Sequence, residues 1–291
     1  MTTRLIVNAD DFGLTSGVNR AILELHQAGV LTSATLMARA AATDEAIAIA
    51  RATPTLGVGC HVVLVDGEPV LSPDVIPGIS DAARRQFLPK LGQFLARIHT
   101  QSAPAQVAQQ IEMEARAQIQ ALLAKGVALT HVDTHKHTHM FPRVLRPVLR
   151  AARSCGIRAV RNPFEPAWSA RATPSAPILR QMQVRLLRML QARFRRIVAE
   201  EGFATTEGSV GVLATGTLDS GAVAALLQAL PANGCTHELV THPGYNDGDL
   251  AKVHTRLLQS RDTEREALLT LRGAANFELT SFGGLMPPTV N

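Results

Sequence analysis

The stretch Leu5-Ile6-Val7-Asn8-Ala9-Asp10-Asp11-Phe12-Gly13 begins with apolar residues and ends in two adjacent aspartates before a glycine. A short apolar run of this kind predicts a buried β-strand, and the abrupt change to Asp-Asp marks its end. Thr15 or Ser16 can cap a helix over residues 18–25, and residues 32–37 predict a second strand. The order strand, helix, strand is typical of a parallel βαβ unit.

The same alternation continues along the rest of the chain. Further strands are predicted at residues 56–64, 131–139, 157–161, 210–215 and 238–242, with helices at 44–52, 104–125, 144–155, 180–196, 220–230 and 263–271. Two irregular segments, 65–80 and 162–177, interrupt it. Because roughly six to eight such units follow one another without a linker, we predict a single α/β domain over residues 1–291. Its expected architecture is a TIM-like β/α barrel, either closed or distorted and incomplete.

The composition favours an aliphatic core. Hydrophobic residues make up 46% of the 291 residues and aromatic residues only 4%, as in helices packed on a parallel sheet. No apolar run is long enough to span a bilayer, and no apolar segment typical of a secretory signal follows the first residues. Cys60, Cys155 and Cys235 are far apart and form no Cys-x-x-Cys pair. We therefore expect a reduced cytoplasmic protein without disulfides.

Residues 180–196 carry the most uneven charge in a chain whose net charge is +5. Six arginines and no acid occur there, and apolar residues interleave with them at roughly helical spacing. This pattern predicts either a surface helix with a solvated basic face or a helix that contacts an anionic membrane or an acidic partner. We expect no nucleic-acid partner, because the chain has no recognition motif and few aromatic residues for stacking.

A histidine-rich tract, His131-Val132-Asp133-Thr134-His135-Lys136-His137-Thr138-His139, places four histidines and one aspartate at alternate positions. In an extended strand alternate side chains share a face, so the imidazoles and the carboxylate would line one wall. Neutral imidazole and carboxylate are typical ligands of catalytic divalent metals. The alternative is a solvated tract that takes up metal without catalysis.

Other Asp and His residues occur where predicted strands end. Asp10 and Asp11 end the first strand, His61 lies at the third, and His242 ends a late one. Chemistry in β/α barrels lies at the carboxyl ends of the strands, so we expect these side chains to converge with the tract. Each also has a structural explanation, since the aspartates can cap or turn, His61 can be a hydrogen-bonded core residue, and His242 precedes a Pro-Gly turn.

Several segments together resemble the YdjC-like carbohydrate deacetylases. They are Asn8-Ala9-Asp10-Asp11-Phe12-Gly13, His61 after a glycine-rich strand, residues 130–142 and His242-Pro243-Gly244. The similarity extends over about residues 3–285 and departs at Lys136, where the family tract has a histidine. Residues 61–70, 135–139 and 161–166 are more similar to the hopanoid-biosynthesis-associated branch, known as HpnK.

The resemblance implies a metal-dependent hydrolase on a β/α barrel that removes acetyl groups from N-acetylated amino sugars. It implies that Asp11, His61 and His135 bind one divalent metal ion, Mg, Zn or similar, with Asp10 as general base. His242 is the first candidate for the general acid, and His137, in the same tract, is the second. The expected substrate is a small amino sugar such as a chitooligosaccharide or, in the hopanoid branch, an N-acetylglucosaminyl-hopanoid, and the expected assembly is a homodimer.

Residues near the predicted site are candidates for substrate binding. Arg161, after a short strand, can orient Asp10 or a substrate hydroxyl. His139 is expected to orient a ligand or to contact the substrate. Phe164 and Trp168 are among the few aromatic residues, and their flat faces suit a pyranose ring or a lipid, although they could simply cover the barrel end.

The segments 65–80 and 162–177 are predicted to form walls of the substrate cleft. Both follow strands whose carboxyl ends are expected at the metal, and loops there define specificity in barrels. A lipid-linked substrate must be reached at a membrane, which would give the helix over residues 180–197 a peripheral contact with the inner membrane.

Two other functions would use the same ligands. A metal-dependent phosphoesterase would require a second metal or more cationic side chains near the site than Lys136 and Arg161 supply. A metal- or lipid-binding protein without activity would not require Asp10 and His242. Acetate release from an N-acetylglucosamine conjugate, with and without a chelator, distinguishes the three functions.

Overall fold

A curled parallel β-sheet forms the centre of the fold, and the computed structural model describes residues 2–174, 176–273 and 276–285. The strands are β1 (Arg4–Phe12), β2 (Ser33–Leu36), β3 (Gly57–Val62), β4 (Ser80–Asp81), β5 (Gln86–Phe87), β6 (Leu129–Thr134), β7 (Ala159–Val160), β8 (Ala204–Thr205), β9 (Ser209–Val210), β10 (Thr236–Thr241) and β11 (Glu278–Leu279). The α-helices are α1 (Ser16–Gln27), α2 (Thr43–Ala52), α3 (Leu91–Thr100), α4 (Pro104–Ala124), α5 (Pro142–Ser154), α6 (Ala167–Ala172), α7 (Ile178–Leu187), α8 (Gln191–Glu200), α9 (Ser220–Gln228) and α10 (Gln259–Leu269). Short 3-10 helices cover His135–Met140, Arg188–Leu190, Leu250–Lys252 and Phe282–Leu285.

The main sheet has the strand order β8-β7-β6-β3-β2-β1-β10-β9, and its strands pair in parallel. β11 adds a short parallel pairing at the start of β1. Within the main sheet, each connection from β1 through β2, β3, β6 and β7 to β8 passes through at least one helix, as parallel strands usually require. The predicted α/β class and the predicted alternation of strands and helices are therefore confirmed.

The two end strands of this sheet are close together in the chain. β8 pairs with β7 and β9 pairs with β10, and only residues 206–208 separate them. The N–H of Glu207 also donates to the carbonyl of Thr236 at the start of β10. The sheet therefore curls so that its two end strands, β8 and β9, are joined by three residues. Of the closed and the incomplete barrel, which the sequence left open, this is the incomplete form.

The central strands of the main sheet are buried on both faces, as expected for a parallel sheet covered by helices. All residues of β3 and β10 are buried, and in β1 all are buried except Arg4. A large aliphatic core lies against these strands, in agreement with the low aromatic content. A second cluster of Ile6, Ala159 and Phe282 places the 3-10 helix at Phe282 against the sheet as well.

Several helices begin where local chemistry favours a start. Thr15 Oγ1 accepts a hydrogen bond from the N–H of Val18, which confirms the predicted cap of α1. Asp219 caps α9 in the same way. Helices α4 and α5 begin with a proline, which lacks an N–H. No hydrogen bond is lost there, because the N–H groups of a first turn have no acceptor within the helix. No helix in the described part of the chain is long and apolar enough to cross a membrane.

The histidine tract differs from the prediction. β6 ends at Thr134, and Lys136 and His137 have φ angles of 54° and 52°, in the left-handed region. These two residues turn the backbone into a 3-10 helix, so the tract does not continue as one strand to His139. The predicted common face is therefore limited to the part of the tract that lies in β6.

Other differences arise where tertiary contacts override short sequence patterns. The strand predicted at 210–215 ends with β9, because the next residue, Gly211, has a φ of 86°. The single helix predicted at 180–196 is divided into α7 and α8 by a 3-10 turn, and the irregular segment 162–177 contains the short helix α6. The β4-β5 hairpin and α3 lie in a region for which the sequence pattern predicted no element.

Candidate metal centre and active site

Polar side chains gather where the strands of the main sheet end. The group consists of Asp10 and Asp11 in β1, His61 in β3, Asp133 in β6 and, directly after β6, β7 and β10, His135, Arg161 and His242. Because parallel strands end at one edge of a sheet, these residues come together at the carboxyl end of the barrel. The structure thus brings the Asp and His residues expected at four strand ends to one place.

Asp10 and Asp11 are adjacent in sequence but contact different partners. Asp11 has a φ of 64°, and the pairing register of β1 with β2 shifts at this point. This irregularity interrupts the strand alternation, so the two carboxylates do not point to opposite faces of the sheet as they would in a regular strand. Asp10 contacts Arg161, whereas Asp11 faces His61 and His135.

Three side chains present a compact set of metal-ligand atoms. Asp11 Oδ1 lies 3.6 Å from His61 Nε2 and 3.5 Å from His135 Nδ1, and the two imidazole nitrogens are 3.3 Å apart. A point equidistant from three atoms with these separations lies about 2.0 Å from each, which is the length of a bond from zinc to nitrogen or oxygen. Two imidazoles and one carboxylate are also a common donor set in catalytic metal sites. The residues present therefore fit a divalent metal ion.

Arg261 balances part of the charge of Asp11. Its Nη2 donates to Asp11 Oδ2 at 2.6 Å, which leaves Oδ1 directed at the imidazoles. Burial by itself raises the pKa of Asp11, but Arg261 and His135 hold that pKa well below its usual value. Asp11 is therefore ionised, which is the form that binds metal.

Asp133 fixes the orientation of His61. His61 Nδ1 lies 2.8 Å from Asp133 Oδ1, so that Nε2 is directed at Asp11 and His135. Burial by itself lowers the pKa of His61, but the carboxylates of Asp133, Asp10 and Asp11 raise it to about 9. In the metal-free protein His61 is thus protonated at neutral pH, and metal binding at Nε2 would displace that proton.

Arg161 is completely buried at the centre of an ion-pair network. Its guanidinium donates to the two carboxylate oxygens of Asp10 at 2.6 and 2.8 Å and also pairs with Asp133 and Glu238. The predicted orientation of Asp10 by Arg161 is in agreement with these contacts. The alternative, a contact between Arg161 and a substrate hydroxyl, does not agree with the structure, because no part of the Arg161 side chain reaches the surface.

Asp10 is held in its charged form. Oδ1 accepts further hydrogen bonds from Asn8 Nδ2 at 3.0 Å and from Thr35 Oγ1 at 3.2 Å. Burial by itself raises the pKa of Asp10, but the guanidinium of Arg161 and the nearby histidines hold that pKa well below its usual value. The other oxygen, Oδ2, accepts from Arg161 and lies 3.8 Å from His242 Nε2, so it is the less crowded of the two.

Two buried glutamates support this arrangement. Glu238 contacts Arg161 from β10, and burial raises the pKa of Glu238 to about 7 although Arg161 opposes the rise. Glu264 accepts the backbone N–H of His242 at 2.6 Å, and its carboxylate lies 3.9 Å from His242 Nδ1. Glu264 therefore positions the residue whose Nε2 faces Asp10.

Two histidines of the tract take structural positions. His139 is fully buried, with Nδ1 at the hydroxyl of Thr134 and Nε2 at the carbonyl of Arg161. It therefore has no ring nitrogen free for the predicted substrate contact and instead holds the backbone at Arg161. His131 lies within β6 and stacks on Phe282 with ring centroids 3.7 Å apart, away from the metal-ligand atoms.

His137, the second candidate for the general acid, follows the left-handed turn. Its Nδ1 is buried without a hydrogen-bond partner among the described residues. Burial, and after it the charge of Arg161, lowers the pKa of His137 to about 3. A histidine that is neutral at neutral pH is a poor proton donor, so of the two candidates this favours His242.

The aromatic residues predicted to contact substrate do not face the metal-ligand atoms. Phe164 is 2% exposed and packs edge-on against Phe194 in the core. Trp168 packs edge-on against His237, which lies near the start of β10 and therefore at the opposite end of the strand from the site. Their expected role as flat faces for a sugar or lipid is thus replaced by packing.

The segment 65–80 does lie at the site end of the barrel. A cavity of about 400 Å³ is lined by residues 68–73, 84–86 and Arg39, which follow the carboxyl ends of β3 and β2. Lys136 donates to Asp66 at 2.6 Å and so connects this segment to the tract. The segment 162–177, of which Ser175 lies outside the described residues, also begins at the site end of the barrel. Its aromatic residues, Phe164 and Trp168, pack away from the metal-ligand atoms.

Comparison with known proteins places the chain in a family. The family model described as YdjC-like protein matches residues 4–275. The chain belongs to the YdjC-like family. This confirms the family resemblance drawn from the Asp-Asp segment and the histidine tract, whereas the hopanoid-associated branch stays a prediction.

Several curated relatives of this YdjC-like chain are named as deacetylases. A carbohydrate deacetylase of Brevibacillus brevis is 46% identical over 149 residues, which are 51% of this chain and 55% of that protein. A carbohydrate deacetylase of Geobacillus stearothermophilus is 37% identical over 166 residues, 57% and 60% of the two chains. A chitooligosaccharide deacetylase of Salmonella typhimurium is 38% identical over 154 residues, 53% and 57%. The chain thus spans little more than half the length of the curated relatives it matches.

The YdjC-like chain also shares its fold with solved structures. A candidate cellobiose-phosphate cleavage protein of Enterococcus faecalis superposes with a TM-score of 0.77 at 23% identity over 99% of this chain and 100% of that one. A lactam utilization protein of Thermus thermophilus superposes with a TM-score of 0.52 at 15% identity over 96% and 99%. At such identities the similarity concerns the fold alone.

Three residues of this YdjC-like site were not assigned a role from the sequence: Glu238, Arg261 and Glu264. Asp133, which the sequence placed on one wall with the tract histidines, contacts His61 and Arg161. Glu238 carried a signal, because it is a lone acid in an otherwise uncharged stretch of β10. Arg261 and Glu264 are three residues apart and so share a helix face, but nothing local relates that face to Asp11 or His242.

Proposed function

We propose that this chain is a metal-dependent carbohydrate N-deacetylase that hydrolyses the acetamide of an N-acetylated amino sugar. The observation that carries the proposal is the division of labour between two adjacent aspartates. Asp11 lies within 3.6 Å of the imidazole nitrogens of His61 and His135, whereas Asp10 is held apart as a buried carboxylate. A hydrolase needs both a metal ligand and a separate base, and a metal-storage protein needs only the first.

Asp11, His61 and His135 would hold one divalent ion, Mg, Zn or similar. When bound, the ion would polarise the acetamide carbonyl and lower the pKa of a water molecule. The charges of the site favour a cation once His61 has lost its proton, because the buried carboxylates of Asp10, Asp11 and Asp133 then face only two guanidiniums, those of Arg161 and Arg261.

Asp10 would take the proton of the attacking water. Its Oδ2 is the less crowded carboxylate oxygen, and Arg161, Asn8 and Thr35 prevent the side chain from turning away. A carboxylate with a low pKa is a weak base, so it suits a water molecule that is itself acidified. The rigid hold on Asp10 also keeps it in the geometry required for attack.

His242 would protonate the departing sugar amine, since an amide nitrogen is a poor leaving group unless it is protonated. Its Nε2 lies 3.8 Å from Asp10 Oδ2, so a proton taken up by Asp10 has a short path to it. Glu264 fixes the backbone of His242 and faces its other nitrogen. The products are acetate and the free amine, and Asp10 and His242 return to their starting forms.

The charges at the site count against a phosphoesterase. Such an enzyme uses free cationic side chains or a second metal to bind phosphate oxygens. Here Arg161 and Arg261 are paired with Asp10 and Asp11, and Lys136 is paired with Asp66. A second group of acidic and imidazole atoms, formed by Asp10, His61 and Asp133, shares His61 with the first and contacts Arg161, so it is unsuited to a second ion.

The substrate is proposed to be a glucosamine-type sugar in free or lipid-linked form. A chitooligosaccharide is supported by the name of the Salmonella relative. An N-acetylglucosaminyl-hopanoid is supported by residues 61–70, 135–139 and 161–166, which resemble the hopanoid-associated branch. A homodimer and a cytoplasmic location at the inner membrane, where a lipid-linked sugar would be reached, belong to the same proposal.

Acetate release from N,N′-diacetylchitobiose tests the proposal. We expect release with added divalent metal, loss of release in a chelator, and recovery when metal is restored. p-Nitrophenyl phosphate, assayed in parallel, reports phosphoesterase activity. Metal binding without acetate release from any N-acetylated amino sugar would show that the chain is not a deacetylase, and phosphate release would favour the alternative reaction.

A further inference from the structure

The helix α7 and the 3-10 turn after it carry an exposed apolar surface. Five large apolar side chains are strongly exposed there: Ile178 (76%), Leu179 (68%), Met182 (63%), Leu186 (66%) and Met189 (77%). They include most of the large hydrophobic residues that are exposed in the described part of the chain. We call these five side chains the α7 row.

The α7 row lies along one side of the helix. At about 100° per residue, its five positions fall within an arc of about 100°. The opposite side is anchored to the protein, because Leu187 and Leu190 pack against the core and Arg180 Nη1 donates to the carbonyls of Leu213 and Thr215. The row therefore faces outward because the other side of the helix is held in place.

Arginines border the row. Arg185 and Arg193 are exposed and Arg188 is half-buried, and among the described residues these three have no ion-pair partner. Arg195 and Arg196, by contrast, pair with Glu207 and Glu200. The surface thus combines an apolar strip with cations that are not neutralised by the protein itself.

We propose that the α7 row docks on an anionic membrane surface, with its apolar side chains in the headgroup region and its arginines on lipid phosphates. An amphipathic helix with apolar residues on one side and arginine at its border is suited to this position. A two-fold contact between two copies of this face would bring arginines of like charge together, with no acid between residues 178 and 196 to separate them. An acidic protein would satisfy the arginines but would need its own groove for five protruding apolar side chains.

The position of α7 relates the docking surface to the site. Arg180 holds the start of α7 to the carbonyls of Leu213 and Thr215, which follow the carboxyl end of β9. The metal-ligand atoms lie at the same end of the sheet. Docking would therefore bring the candidate active site to amino sugars carried on membrane lipids, an inference about substrate that rests on the proposed deacetylase function.

Co-sedimentation with vesicles tests the docking. Wild-type protein should bind phosphatidylcholine vesicles that contain about 30% phosphatidylglycerol and should bind pure phosphatidylcholine vesicles at least about tenfold more weakly. The triple variant Met182→Ser/Leu186→Ser/Met189→Ser and the variant Arg185→Glu/Arg188→Glu should each lose about tenfold or more in affinity for the anionic vesicles. Leu269→Ser removes an exposed apolar side chain elsewhere and should bind like wild type.

Two further measurements separate this inference from the proposed function. Turnover of soluble N,N′-diacetylchitobiose should be unchanged in both variants, because neither alters a residue of the site. Failure of wild type to bind anionic vesicles, or equal binding to neutral ones, would overturn the docking even if the soluble substrate is turned over. Sedimentation that shows a wild-type dimer and a monomeric triple variant would assign the row to a contact between copies of the chain and would likewise overturn it.

Discussion

At the scale of single residues, the backbone of Asp11 separates the two roles that we propose for adjacent aspartates, metal ligand for Asp11 and base for Asp10. In a regular strand Asp10 and Asp11 would point to opposite faces, and one carboxylate would leave the site. The φ of 64° at Asp11 avoids this outcome. Aspartate adopts this conformation more readily than most residues, because its short polar side chain can form local hydrogen bonds there.

Asp10→Asn should lower the rate of deacetylation by about 100-fold or more while metal content stays near the wild-type value. Asparagine keeps the shape of the side chain but cannot accept the proton of water, and Asp10 is not among the three ligand residues. The measurements are acetate release and metal content by mass spectrometry. Asp44→Asn, at a side chain that is 87% exposed, is the control and should be fully active. Near-normal turnover in Asp10→Asn would reject Asp10 as the base.

His135→Ala should lose metal and activity together, because it removes one of the three ligand atoms that lie within 3.6 Å of one another. His139→Ala should retain metal and lose about 10–100-fold in activity, since His139 acts through the backbone of Arg161. Metal content and turnover of the two variants are compared at equal protein concentration. Equal and complete loss of metal in both would contradict the assignment of these residues.

Metal binding should release about one proton per ion at neutral pH. The pKa of His61 is raised to about 9 in the metal-free protein, against 6.5 for a free histidine, so the ring is charged at pH 7. The charged form stabilises the fold below pH 6.5, and this contribution is lost as the pH rises through about 9. Metal affinity should therefore increase with pH up to about 9 and then level off.

Titration calorimetry in buffers of different ionisation enthalpy measures the number of protons released. Asp133→Asn provides the comparison, because it keeps the His61 ring and removes the carboxylate that contributes most to raising the pKa of His61, so fewer protons should be released at pH 7. A pH-independent affinity, with no proton released at pH 7, would show that His61 is neutral before metal binds and that the carboxylate of Asp133 does not raise its pKa as described.

At the scale of elements, buried polar residues of α4 position the segment after β3. Gln118 pairs with the N–H and carbonyl of Val63 at 2.8 and 2.7 Å. One turn earlier, Glu114 accepts the N–H groups of Val70 and Leu71 at 2.8 and 3.0 Å. These contacts give an irregular segment the hydrogen bonds that a strand would obtain from its neighbours, and so hold the segment in a defined position.

Glu114→Ala should destabilise the protein by about 2 kcal/mol or more, because it leaves two backbone N–H groups without a partner. If this segment forms a wall of the substrate cleft, the Michaelis constant for the sugar should also rise, since Val70 and Leu71 line a cavity after the carboxyl end of β3. Glu112→Ala on the same helix removes only a partly exposed pair with Arg116 and should cost about 0.5 kcal/mol or less. Chemical denaturation and steady-state kinetics measure the two effects. Equal costs in the two variants would contradict the role of Glu114.

At the scale of the whole molecule, the site joins elements from both ends of the chain. Asp11 from β1 pairs with Arg261 from α10, and Asp10 pairs with Arg161, which follows β7. The acidic residues of the site lie close together, so their mutual repulsion opposes folding until cations balance it. A metal ion that binds only the folded protein should therefore stabilise the whole fold.

Removal of metal should lower the melting temperature. With free metal at about 100 times its dissociation constant, binding contributes about 2.7 kcal/mol to the free energy of unfolding, which for a chain of this size is a shift of about 5 °C or more. Thermal unfolding with metal and with chelator measures this shift. The His135→Ala variant is the control and should show little difference between the two conditions. An equal shift in that variant would place the metal elsewhere.

The sequence by itself determined the alternation of strands and helices, because the spacing of apolar residues differs between the two and capping or turn residues mark where many of them begin or end. It also placed Asp and His residues near the carboxyl ends of four strands, although not the exact ends of those strands, and thereby indicated that Asp10, Asp11, His61, His135 and His242 would meet. Parallel strands connected by helices have their carboxyl ends at one edge, so position in the chain is sufficient for that inference. The family resemblance followed from the same residues.

The tertiary structure decided what surrounds those residues. Three supporting residues contact partners that are distant in the sequence: Glu238 contacts Arg161, Arg261 contacts Asp11 and Glu264 contacts His242. No local sequence pattern indicates which distant residues folding will bring together. The tract turns at Lys136 and His137 because these residues adopt left-handed backbone, which a period of two in the sequence cannot indicate. Phe164 and Trp168 are packed rather than open, since burial depends on the neighbours that folding brings and not on the residue alone.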